Sequence, residues 1–154
     1  MNRVEISVEG IGTPLWLDRV RDFVLAVLGH LDKDGWDLSV LICDDAFIRG
    51  LNRQYRDMDE ATDVLSFEQG DPYRDAEGEE RLLAGDIVIS LDALARSAED
   101  FGVTRDEELR RLIVHGLLHL SGMDHEDSDP SRPMLALQER LIRDLASLGG
   151  HSIL

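Results

Sequence analysis

The chain of 154 residues has one cysteine and one lysine, and it has no long apolar run. A lone cysteine excludes an internal disulfide framework, which fits a reducing compartment such as the cytoplasm. Cys43 stands in the run Val40-Leu41-Ile42-Cys43, where a small buried hydrophobe is the simplest reading. No stretch approaches the roughly 18 uninterrupted apolar residues that a membrane helix requires, so no membrane partner is expected. The opening MNRVEISVEG alternates charged and apolar residues and lacks the apolar region of a signal peptide. Internal repeats, low-complexity tracts and linkers are missing too. The expectation is one domain over 1–154, with a frayed tail from 146.

What is abundant is negative charge. Against 32 Asp and Glu stand 16 basic residues, giving a formal charge of −16. Such a balance opposes tight, unspecific binding of nucleic acid, which needs a net supply of cations. Of the basic residues, fifteen are arginine and only Lys33 is lysine. Arginine excess suits bidentate phosphate recognition, and equally reflects a GC-rich genome.

Val4, Ile6 and Val8 alternate with polar residues and predict an opening strand. Thr13-Pro14 predicts the start of a helix that runs to Gly29. A strand is expected over Trp36–Ile42, then a helix capped by Asp44 or Asp45 and running to about Tyr55. Trp16 and Trp36 read as core. A third strand is expected at Asp63–Phe67 and a fourth at Gly85–Ser90, with a solvated loop between them over Glu68–Glu80. Ser90 caps a helix ending at Gly102. Thr104 with Glu107 forms a capping box for a helix that stops at Gly122. Pro133 opens a last helix to Leu148. The order βαβαββααα indicates a mixed sheet with helices packed over it.

Three of the five histidines fall within eleven residues, in His115-Gly-Leu-Leu-His119-Leu-Ser-Gly122-Met-Asp-His125. Residues four apart on a helix project side by side, so His115 and His119 can share one ion. Glycine at 122 can take positive φ and turn the chain back, bringing His125 to the same ion. The plain alternative is a core, a surface and a loop histidine that happen to lie close in sequence. A three-histidine site leaves a fourth tetrahedral position open, as catalytic zinc does. Zinc proteases of the HExxH type carry their general base directly after the first histidine. Here that residue is Gly116, so a protease reading lacks its base.

The histidine segment fits HGxLHLxGxDH at every fixed position and so resembles the YbeY family of ribosomal RNA maturation endoribonucleases. Leu51-Asn52, Tyr55-Arg56, Thr62-Asp63-Val-Leu-Ser-Phe67, Gly85-Asp86-Ile87, Met134 and Gln138-Glu139 extend the resemblance over most of the chain. The resemblance implies an α+β, zincin-like fold with a mixed four-stranded sheet. It implies single-strand-specific RNA cleavage, maturation of the 3′ end of small-subunit ribosomal RNA, and a part in ribosome quality control, in the cytoplasm. It places the Zn2+ ligands on His115, His119 and His125, with one ion per chain, and a functional arginine on Arg56. His115 and Arg56 are then the catalytic candidates. The implied partners are single-stranded ribosomal RNA, small-subunit proteins and an assembly GTPase.

Arg49, Arg53 and Arg56 lie on one helical stripe, which can hold a phosphate or can be a solvated face paired with Asp57, Asp59 and Asp63. The general base is unassigned, Asp124 and Glu126 being the nearest acids in sequence. Two other functions stay open: a metal-stabilised ribosome assembly factor without strong nuclease activity, and a metal-dependent hydrolase of another substrate.

Overall fold

The computed structural model describes residues 1–149 and 153–154. Its elements are β1 (Arg3–Glu9), α1 (Leu17–His30), β2 (Trp36–Cys43), α2 (Asp45–Arg56), β3 (Val64–Arg74), β4 (Glu80–Ser90), α3 (Leu91–Phe101), α4 (Arg105–Leu120) and α5 (Pro133–Gly149). The fold is α+β, with four strands in the order β1-β2-β4-β3. β1, β2 and β4 run parallel, and β3 returns antiparallel along β4 as the edge.

Both faces of the sheet are covered, which explains the nearly unbroken apolar runs of β2 and β4. Along β4 the pleat sends Ile87 and Ile89 into the main core with α1 and α4. Val88, between them, joins Cys43, Ile48 and Leu65 in a smaller cluster under α2. Cys43 is therefore a packing residue, and burial pushes its thiol up to about 12. Trp36 is buried and Trp16 packs against the core edge.

α4 is the central rod. Thr104 accepts from the Glu107 N–H at 3.1 Å, the bond its capping pattern predicts. Leu109, Leu112, Ile113, Val114, Leu117, Leu118 and Leu120 are all buried, so packing surrounds the helix rather than striping it.

Two sequence expectations change. The polar stretch 68–80 is not a loop: β3 continues to Arg74 and pairs with β4 as far as Arg74 opposite Glu80. Its side chains are polar because this end of the hairpin is solvated. Tyr73, Asp37 and Arg81 tie it to β2, and Asp75 accepts from the Glu77 and Glu79 N–H groups across the turn. α1 starts at Leu17 behind Trp16 without a side-chain cap, so Thr13-Pro14 lies outside it. α5 runs to Gly149 and the buried Ile153 donates its N–H to Asp106, while the tail expected to fray from 146 lies partly outside the described residues. Residues 150–152, His151 among them, lie outside the described residues.

Candidate metal centre

The site forms around the free edge of β3, where α4 on one face and the end of α2 on the other approach each other. A cleft of about 600 Å³ is lined by Arg56, the β3 residues Val64 to Glu68, His115, His119, Gly122, Met123 and Asp124.

His115 and His119, one turn apart on α4, place their Nε2 atoms 3.1 Å from each other. The chain then leaves the helix through Gly122, whose φ of +94° is the left-handed geometry that its position requires. The turn carries His125 back, its ring centroid 5.2 Å from that of His115 and 5.6 Å from that of His119. One ligand nitrogen from each ring lies within 4.8 Å of the other two.

The protonation pattern is legible from the partners of the opposite ring nitrogens. His119 Nδ1 faces the Met123 carbonyl at 3.0 Å, and His125 Nδ1 faces the Asp127 carbonyl at 2.9 Å. His115 Nδ1 faces Gln138 Oε1 at 2.7 Å. All three oxygens only accept, so each Nδ1 carries a proton, which in a neutral ring leaves Nε2 bare. With both rings in that form the close Nε2 pair is two lone pairs facing each other, a repulsive arrangement that a cation between them relieves. Burial is the main cause that holds the His115 pKa below its ordinary value, with His119 and His125 adding to it against the Gln138 bond. In a tetrahedral zinc site, bonds of 2.0–2.1 Å put neighbouring nitrogens about 3.3–3.4 Å apart. The triad fits a divalent metal ion held by three imidazoles.

The loop that presents His125 is tied at several points. Asp124 accepts the His125 N–H at 2.8 Å. The Asp127 carboxylate is gripped by Arg132 through two bonds of 2.9 and 2.7 Å. Asp129 accepts from the Ser131 N–H and hydroxyl.

Gly116 has a steric cause. A Cβ there would stand 2.9 Å from Cδ1 and Cγ2 of Ile87 and 3.0 Å from its Cγ1. The position where zinc proteases carry a glutamate is thus closed by the sheet. Gly85 is equally required: its φ is +140°, and a Cβ would lie 2.1 Å from the Phe67 carbonyl oxygen. That close approach sets the path of β3 beside the histidines.

The three stripe arginines part company. Arg56 turns to the cleft, donating Nη2 to the Ser66 carbonyl at 2.9 Å, with its guanidinium 5.7 Å from the centre of the Phe67 ring. Arg49 makes a two-bonded pair with Asp59 at 2.9 and 3.2 Å, away from the cleft lining. Arg53 is exposed and is not a lining residue either. Of the two acids next to His125, Asp124 lines the cleft and Glu126 does not.

The family model for Endoribonuclease YbeY matches residues 9–146. The chain belongs to the YbeY endoribonuclease family. An Endoribonuclease YbeY of Treponema denticola is 60% identical over 124 residues, 80% of each chain. That of Treponema pallidum is 49% identical over 142 residues, 92% of this chain and 89% of the relative. A Thermotoga maritima protein solved in solution superposes with a TM-score of 0.64 at 27% identity, covering 94% of this chain and 90% of its own. Of the matched positions, Arg56 and Phe67 line the cleft, Gln138 meets His115, and Gly85 and Ile87 stand against Phe67 and Gly116. No described helix is long and apolar enough to cross a membrane.

Proposed function

We propose that this chain is a zinc-dependent, single-strand-specific endoribonuclease that matures the 3′ end of small-subunit ribosomal RNA and takes part in ribosome quality control. The supporting observation is one cleft lined by His115, His119 and Arg56, with His125 completing a triad whose ligand nitrogens lie within 4.8 Å of one another. Neutral nitrogen donors with one position left for water suit catalytic zinc. A bound zinc ion supplies a water of lowered pKa or polarises a phosphate oxygen.

The chain's own residues do the rest. Arg56 is fixed by the Ser66 carbonyl and the Phe67 ring, so its fork is already in place for a phosphodiester. Tyr55, 60% exposed, sets its ring edge-to-face on Phe67, with centroids 5.4 Å apart. Such rings stack unpaired bases, which favours single strands over duplex. Glu68 and Asp124 are the acids that line the cleft. With −16 charges, partner docking through small-subunit proteins and an assembly GTPase is the expected route to the RNA.

The test is cleavage of purified single-stranded RNA by the full chain, with metal content and folding measured alongside. Chelation and His119→Ala are expected to remove both metal and cleavage. Arg56→Ala is expected to keep metal and fold while cleavage falls about 10²–10³-fold. A 3′-hydroxyl product excludes attack by the RNA 2′-hydroxyl, and a cyclic phosphate demonstrates it. Cleavage that survives complete metal loss in folded protein would refute the zinc dependence, and folded, metal-loaded protein that cleaves no RNA would refute the enzymatic reading and favour an assembly factor.

A further inference from the structure

Two of the three imidazoles have their Nδ1 proton held by main-chain carbonyls, which offer only an acceptor. His115 differs, because its Nδ1 meets the side-chain amide of Gln138 on α5. A terminal amide can present either face. With the oxygen toward the ring, Nδ1 keeps its proton and Nε2 is bare. With the NH2 group toward the ring, Nδ1 accepts, the proton moves to Nε2, and that nitrogen is blocked as a ligand.

The surroundings decide between the two. Gln138 Nε2 lies 3.1 Å from Glu139 Oε2, a carboxylate oxygen that only accepts. The amide nitrogen must therefore point to Glu139, and the oxygen to His115. Glu139 is itself held by both prongs of Arg111, Nε to Oε2 at 3.0 Å and Nη2 to Oε1 at 2.9 Å. Arg111 stands one turn before His115 on α4, so both ends of the relay belong to the same rod. Gln138 is only 6% exposed, which denies a turned amide any compensating water. The Arg111 guanidinium also keeps the Glu139 carboxyl below its usual range, so the acceptor stays ionised.

We propose that Gln138 is a positioning residue for the metal centre: turned by the Arg111–Glu139 ion pair, its amide fixes the His115 tautomer that offers Nε2 to a divalent cation. The proposal rests on the metal-site reading of the triad. His115 is then the one ligand whose tautomer depends on side chains rather than on chain path.

The test uses the full chain, zinc titration against a competing chelator, and 15N NMR of the histidine rings in the metal-free protein. In Gln138→Leu the zinc Kd is expected to rise about 10–100-fold, as for other lost partners of metal-bound histidines. The His115 ring should leave its Nδ1–H tautomer, while His119 and His125 keep theirs. Glu139→Met leaves the amide free to turn, so a smaller loss of affinity and a mixed His115 tautomer are expected. Its side chain is 41% exposed, so this variant carries the test should Gln138→Leu fail to fold. Folded variants with unchanged zinc Kd and an unchanged His115 spectrum would overturn the proposal. Wild-type protein that takes up no zinc would instead defeat the metal reading, and the tautomer spectra would still report on Gln138.

Discussion

Replacing Gly116 by alanine sets a helix preference against a packing limit. In a helix interior alanine is favoured over glycine by about 1 kcal/mol. Here the new methyl meets three atoms of Ile87 at 2.9–3.0 Å. Ile87 is fully buried and β-branched, so it has little rotamer freedom with which to withdraw. Overpacking of this kind costs about 1–3 kcal/mol, which leaves Gly116→Ala destabilised by up to about 2 kcal/mol. Ile87→Ala removes all three opposing atoms and by itself costs about 2–5 kcal/mol. Combined, the added methyl fills part of the void, so the loss in the double variant should fall short of the sum of the single losses by about 1–3 kcal/mol. Urea unfolding of the four proteins, compared at constant m, measures the coupling. Because position 116 lies between His115 and His119, the proposed zinc site predicts that any shift of α4 also weakens zinc binding by Gly116→Ala. A Gly116→Ala protein more stable than wild type and additive with Ile87→Ala would refute the reasoning, showing slack where the contact is argued to be closed.

Three further outcomes are expected. Arg81→Met leaves the Asp37 carboxylate without the guanidinium that lies 2.6 Å away and only 5% exposed, and should cost about 3–5 kcal/mol in chemical denaturation. Arg81 is the main cause that lowers the Asp37 pKa, so wild-type stability from this group is present above the ordinary carboxylate pKa and lost as pH falls through the folded one; the variant's acid limb should be flatter. Glu108 is 2% exposed with Oε2 unpartnered, and burial raises its pKa. Its charged form therefore weakens the fold at neutral pH and less so as pH falls, so Glu108→Gln should raise Tm at pH 7 with a gain that fades near pH 4. Gly85→Ala must place a methyl against the Phe67 carbonyl at a φ of +140°, and should both destabilise the fold and misplace Phe67, read as loss of RNA cleavage with the triad intact.

Local signals in the sequence were faithful where the cause is local. Thr104 and Ser90 accept the N-cap bonds expected of them, and Gly122 takes the turn that its place after two histidines demanded. They misled where tertiary context decides. The hairpin arm of β3 and β4 looks like a loop because its partners are cross-strand and its surface is wet. The stripe of Arg49, Arg53 and Arg56 is uniform in spacing, and only the positions of Asp59 and Ser66 separate a surface ion pair from a cleft group. Gln138 and Glu139 were visible as matched positions, yet their task depends on a contact to a ring 23 residues away. Gly116 looks in the sequence like a missing base, whereas Ile87 supplies the physical reason that no acid can stand there.

The grip of Arg132 on Asp127 bears on how fast and how firmly an ion is caught. Two ligands stand on a stiff rod and the third hangs from a tether, whose far end this clip closes at folding rather than at capture. The ordering entropy is thus spent in advance. On the proposed zinc reading, a chain with the clip opened would keep every histidine and still hold the ion for a shorter time.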